Sequence, residues 1–181
     1  GAKFGLTAET IKDLLNSQTD YPWVEFAGLH VHIGSQLHDI VATVEAIQKA
    51  IDLVKPYSNV KTINIGGGLP VAYAGDTFLP DYHEFASALK PILAGYEVLL
   101  EPGRSVVADA GILVTELLYI KKQAGQIFYI VDASMSELIR PALYQAHHEI
   151  LPVTEDTGTE CVHVVGPVCE TTDVLGRDVS L

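Results

Sequence analysis

Cysteine is scarce in this sequence. It occurs twice in 181 residues, at Cys161 and Cys169, too rarely for a disulfide framework and without the CxxC spacing of a zinc site. Cationic side chains are also in short supply. The 11 Lys and Arg face 23 Asp and Glu, for a formal charge of -12; such a surface repels phosphate backbones and anionic lipid, which disfavours nucleic acid and membrane partners. No apolar run approaches the roughly 20 residues of a bilayer-spanning helix, and no basic-then-apolar leader opens the chain. A GxxxxGK[ST] loop is lacking, which argues against a nucleoside triphosphate. Repeats and low-complexity tracts are missing too. The expectation is a cytoplasmic chain whose 48% hydrophobic content suffices for a core in one domain or two small ones.

What is present falls into two textures. Up to about residue 105, strand and helix patterns alternate. Thr7 is placed to cap a helix through Ile11, Leu14 and Leu15. "YPWVEFAGLHVHIGSQ" then reads as a buried strand ending in a turn. Asp39 is placed to cap a second helix, in which Val44, Ile47, Ile51 and Val54 recur every three or four residues until Pro56 stops it. "NVKTINIGGG" is the next strand, Pro80-Asp81 opens a third helix, and "YEVLLEPGR" closes the series. This alternation predicts a parallel sheet with helical crossovers over residues 1–105. Beyond it, two β-rich runs joined by a Gly-containing turn, and a strand-and-turn segment from Ile150 to Leu181, predict an antiparallel β domain over residues 106–181. "SELIRPALYQAHHEI" interrupts it as a loop and a helical turn broken by Pro141.

In parallel α/β architectures ligands gather where strands end, and three strands here end in chemistry-rich turns: "HVHIGSQ", "NIGGGLP" and "LLEPGR". Gly66-Gly67-Gly68 can bring backbone N–H groups onto a phosphate, or simply form a turn. His30 and His32 alternate with apolar residues and so share one face; an imidazole there suits a flat ring or a structural hydrogen bond. Ser35 can add a hydroxyl to a phosphate site or finish the turn. Glu101 can hold a protonated ring nitrogen while Arg104 takes a phosphate or carboxylate, or the two can pair with each other. Arg140 and Tyr144, four residues apart, share a helical face able to grip a carboxylate, or lie on a surface loop. Cys169-Glu170 is either a proton donor beside a substrate-binding acid or an inert thiol with an acidic neighbour. His147-His148 has no matching ligand cluster, and no metal role is assigned to it.

Taken in order, "HIGSQ", "IGGG", "EPGR", "IRPALY" and "GPVCET" resemble the alanine-racemase-like decarboxylases of fold type III, which use pyridoxal 5'-phosphate. The last two motifs point within them to the diaminopimelate decarboxylases. The resemblance implies part of a (β/α)8 barrel of the TIM type followed by part of a β domain. It implies that His32 stacks on the pyridine ring, that Ser35 and Gly66, Gly67 and Gly68 surround the phosphate, and that Glu101 pairs with the ring nitrogen. Gly103 and Arg104 would serve phosphate and substrate, while Arg140, Tyr144 and Glu170 would hold the distal end of diaminopimelate. Cys169 would donate a proton across a homodimer interface. Carboxynorspermidine, ornithine and arginine decarboxylases, and a non-catalytic cofactor-binding homologue, are the alternatives.

One family feature is not found. None of the eight lysines stands in the "YAxKAN"-like context of the Schiff-base lysine, and Lys3, in "AKFG", resembles a later segment. The chain is therefore expected to be an internal fragment, inactive alone.

Overall fold

The computed structural model describes residues 3–73, 78–154 and 159–181. Two compact units emerge: residues 1–71 with 77–110, and residues 72–76 with 111–181.

In the first unit, helix α1 (Ala8–Asn16) starts at Thr7, whose hydroxyl accepts from Thr10 N at 3.1 Å. Helix α2 (Ile40–Val54) starts at Asp39, whose carboxylate accepts from Val41 N at 2.7 Å, and it stops just before Pro56. Helix α3 (Tyr82–Leu89) begins with a reciprocal box in which Asp81 and Glu84 each satisfy the other's backbone N–H. Each cap engages a donor that the helix itself leaves open. The intervening strands β1 (Gly28–His30), β2 (Thr62–Asn64) and β3 (Glu97–Leu99) form a parallel sheet in sequence order.

Side chains alternate across this sheet. Leu29, Ile63 and Val98 face the core made with Ile47, Ile51 and Val54 of α2 and Phe85 and Leu89 of α3. Ile63 is fully buried, which by itself stabilises the layer by about 1.5–3 kcal/mol. The alternate positions Gly28, His30, Glu97 and Leu99 are exposed. Such a sheet, helix-covered on one face, is a partial barrel wall of three strands.

The first strand is also shorter than its apolar pattern. Only Gly28–His30 pair with β2. Upstream, the Gln18 side chain donates to Val24 O and accepts from Phe26 N, holding that stretch in a loop in which Trp23 is 96% exposed.

The second unit is a sheet in the order β4 (Leu117–Gln123), β5 (Gln126–Val131), β6 (Cys161–Val165), β7 (Val174–Ser180). Its first pair is a hairpin whose turn residues, Ala124 (φ 52°) and Gly125 (φ 79°), both lie in the left-handed region, the twist that tight hairpins favour. The sheet is mixed rather than wholly antiparallel, because β5 and β6 run parallel. Helix α4 (Arg104–Val107) ends the first unit's series, and α5 (Arg140–Tyr144) lies between β5 and β6. Pro141 starts α5 rather than breaking it, since a first-turn N–H has no helical partner to lose. Among the described residues no helix is long and apolar enough to cross a membrane.

Candidate functional site

The carboxyl ends of β1, β2 and β3 meet. Beyond the paired residues the backbone remains tied across the gap: Val31 N donates to Asn64 O at 2.8 Å, Ile65 N to Leu99 O at 3.0 Å and Glu101 N to Gly66 O at 2.8 Å. Ladder bonds thus carry the first tip one residue, and the second and third tips two residues, past the strands. They bring His32, the glycine triplet and Glu101 side by side.

Close approach explains the glycines. A Cβ on Gly66 would lie 2.8 Å from His32 Nδ1. One on Gly67 would run into the carbonyl oxygen of Glu101, and one on Gly68 into that of Gly34. The triplet is therefore wedged between its neighbouring tips, with no room for larger residues. Gly67 N donates to His32 Nδ1 at 3.3 Å, so that nitrogen acts as an acceptor and the ring plane is oriented by the backbone. The ring is otherwise exposed.

Glu101 is held by residues that the sequence reading did not single out. Asn64 Nδ2 donates to Glu101 Oε1 at 2.8 Å, and Asn64 Oδ1 accepts from Gly66 N at 2.9 Å. The reverse amide orientation would set oxygen against carboxylate and NH2 against N–H, so the two partners fix it. His30 Nε2 stands 3.8 Å from the other oxygen, Oε2. The carboxylate does not pair with Arg104. That guanidinium, half-buried, donates to Gln36 Oε1 at 3.3 Å, and the same oxygen accepts from Val71 N at 3.2 Å. Gln36, at φ 59°, therefore joins the loop after β1, the loop after the glycines and the start of α4. Ser35 is exposed in the bend beside it, and Gly103 is exposed as the residue before α4.

The remaining candidates belong to the second unit. Arg140 Nη1 lies 2.9 Å from His148 Nε2, and Arg140 Nη2 donates to Tyr73 Oη at 3.4 Å. Tyr144, at the other end of α5, is 69% exposed; the side chains bound to Arg140 are thus Tyr73 and His148, which spacing along the chain did not indicate. Cys169 and Glu170 are both exposed on the loop between β6 and β7, where Thr171 Oγ1 donates to Glu170 Oε1 at 3.2 Å.

Residues 40–181 match the family model described as "Pyridoxal-dependent decarboxylase, C-terminal sheet domain". The chain is 37% identical to the diaminopimelate decarboxylase of Aquifex aeolicus over 98% of its own length and 44% of that protein. It is 36% identical to that of Zymomonas mobilis over 99% of its length and 44% of that relative. The crystal structure of diaminopimelate decarboxylase from Helicobacter pylori complexed with L-lysine superposes with a TM-score of 0.92 at 34% identity, covering 99% of this chain and 46% of that one. The chain thus spans somewhat less than half the length of these relatives. The strand tips fit the ring of pyridoxal phosphate: they bring a half-exposed carboxylate and an exposed imidazole side by side, with the glycine triplet packed closely between them.

Proposed function

Because this chain belongs to the pyridoxal-dependent decarboxylases, we propose that it is part of an enzyme converting meso-2,6-diaminopimelate to L-lysine and CO2. The observation that carries this reading is the convergence of His32, Gly66 to Gly68 and Glu101 at three adjacent strand tips. The Helicobacter pylori relative was crystallised with L-lysine, the product expected here.

When bound, pyridoxal phosphate supplies the electron sink for decarboxylation. Glu101 would keep a proton on the ring nitrogen through a charge-assisted hydrogen bond. Its orientation would come from Asn64, which holds Oε1 and leaves Oε2, 3.8 Å from His30 Nε2, to meet the ring nitrogen. His32 would lie against the ring face. Ser35, the glycine triplet and Gly103 would surround the phosphate, with Arg104 directed there or to the substrate.

At the distal end of the substrate, Arg140 and Tyr144 would take the second carboxylate and Glu170 the second ammonium group. A guanidinium matched to a carboxylate discriminates strongly against substrates without one, because it is then left unpaired. Cys169 would deliver the proton that replaces CO2 at the α-carbon. In this reading it does so in the active site of the partner subunit of a homodimer.

Among the described residues, the tip segments 31–36, 65–69 and 100–104 contain no lysine. Lys61, the lysine adjoining β2, precedes Gly66 by five residues, a span of about 16 Å along an extended strand. The chain by itself is accordingly proposed to be inactive. Borohydride reduction in the presence of pyridoxal phosphate should leave no stoichiometric pyridoxyl adduct on one lysine.

The substrate assignment is tested with the purified enzyme that contains this chain. CO2 release should favour meso-diaminopimelate over ornithine, arginine and carboxynorspermidine by at least about a hundredfold in kcat/KM, with L-lysine as product. Faster release from one of the competitors overturns the substrate. No release from any of the four points instead to a non-catalytic cofactor-binding homologue.

A further inference from the structure

We propose that Asp173 is a positioning residue for Cys169: its buried carboxylate pins the loop of residues 166–173, so that the thiol is presented at one fixed place. The inference rests on the reading of Cys169 as proton donor. Asp173 is 3% exposed, and a carboxylate withdrawn from water requires partners. Both oxygens have one. Oδ1 accepts from Met135 N at 2.6 Å, and Oδ2 accepts from Val168 N at 2.8 Å.

The main chain of the same residue adds two closures. Gly166 N donates to Asp173 O, and Asp173 N donates to Glu170 O, both at 3.0 Å. The loop is thus held at Val168 and at Glu170, the residues on either side of Cys169, while Met135 anchors it to the segment after β5. Gly166 belongs to this arrangement, because a Cβ there would run into the Asp173 carboxylate.

Cys169 itself is exposed. An exposed thiol on an unrestrained loop samples many positions, and fixing each residue's backbone costs conformational entropy. Delivering a proton to a single carbon requires that cost to be met before reaction, since a misplacement of about 1 Å can slow a step by about a hundredfold. Hydrogen bonds to an ionised acceptor are well suited to this, being shorter and roughly twice as strong as neutral ones.

The test is a double-mutant cycle in the holoenzyme containing this chain: wild type, Cys169→Ala, Asp173→Asn and the double variant. Asn at 173 preserves size but turns an NH2 toward one of the two backbone N–H groups. Asp173→Asn should lower kcat by about ten- to a hundredfold, the range seen for residues that orient a functional group, and leave cofactor affinity within about twofold. In the Cys169→Ala background it should change kcat by less than about twofold, because a residue acting only through Cys169 has nothing left to act on. Without cofactor, amide hydrogen exchange in a peptide covering 166–173 should accelerate in Asp173→Asn.

Multiplicative losses in the cycle, or unchanged exchange, overturn the inference in favour of a general structural role. An Asp173→Asn enzyme of full activity beside a crippled Cys169→Ala enzyme overturns it alone. A Cys169→Ala enzyme of full activity overturns the proton-donor reading and the inference together. If Asp173→Asn does not accumulate as folded protein, Gly166→Ala, which crowds the carboxylate without removing its charge, enters the same cycle with the same expectations.

Discussion

Asn64 donates its side-chain amide to Glu101 at 2.8 Å across the gap between the second and third strand tips. The same amide accepts from Gly66 N, so one residue fixes both an acid and the first glycine of the triplet. If Glu101 holds a proton on the cofactor ring, its charge and aim both matter. Glu101→Gln should lower kcat by about a hundredfold or more, comparable with removing one preorganised electrostatic partner. Asn64→Ala should cost about tenfold, as for residues that orient a ligating group. Steady-state kinetics with the cofactor-loaded enzyme measures both; an Asn64→Ala enzyme at wild-type kcat would show that the amide is idle.

A second expectation concerns the triplet. Gly67→Ala places a methyl against the backbone carbonyl of Glu101, a contact that no side-chain rotation can relieve. Forcing atoms into a filled site costs about 1–3 kcal/mol, and here the displaced group is the strand tip that carries the acid. Thermal unfolding should fall accordingly, and cofactor titration should show weaker binding. Gly95→Ala is the internal comparison for crowding: its Cβ meets open space, although its φ of 92° carries its own strain.

Much of this arrangement was legible in the chain because local chemistry dictates it. Thr7, Asp39 and Asp81 each precede an apolar repeat at helical spacing and each caps a helix. The first strand was not legible in its true length, because the mostly apolar residues 22–27 resemble strand while the Gln18 amide holds them in a loop. The roles of Asn64 and Gln36 were hidden for a related reason. Amides carry no charge and have no fixed spacing to their partners, and the contacts of Gln36 with Val71 and Arg104 and of Asn64 with Glu101 lie 35 to 68 residues apart. Asp173 was silent because buried carboxylates reveal themselves only through the backbone groups that turn toward them.

Arg140 yields a third expectation. The structure joins it to His148 at 2.9 Å and to Tyr73, partners that can hold the guanidinium in a fixed orientation. Hydrogen bonds to charged groups contribute about 1.5–3 kcal/mol each, so Arg140→Ala should raise KM for diaminopimelate by at least about tenfold, with cofactor affinity unchanged. His148→Ala should produce a smaller rise in the same direction. Unchanged KM in Arg140→Ala would remove the distal-carboxylate role.

Acid stability gives the last expectation, and its sign follows from two carboxylates of the second unit. The Thr115 hydroxyl and, after it, Glu116 N hold the carboxyl of Asp132 below the usual carboxylate range. The Ser134 hydroxyl and then Ser134 N do the same for Glu137. A group whose pKa is lowered by folding binds its proton more readily when unfolded, so its contribution is present above the unfolded value and is lost as pH falls through the folded one. The window therefore opens near the ordinary carboxylate values of about 3.9 to 4.3 and extends below them. Both groups are solvent-exposed, so the effect should be modest and should shrink with added salt. Unfolding midpoints recorded from neutral pH down to about pH 3 should drop less steeply for Asp132→Asn and Glu137→Gln than for the parent, because neither variant has a proton to take up. Parallel curves for parent and variants would mean that these two carboxylates contribute nothing to the acid limb.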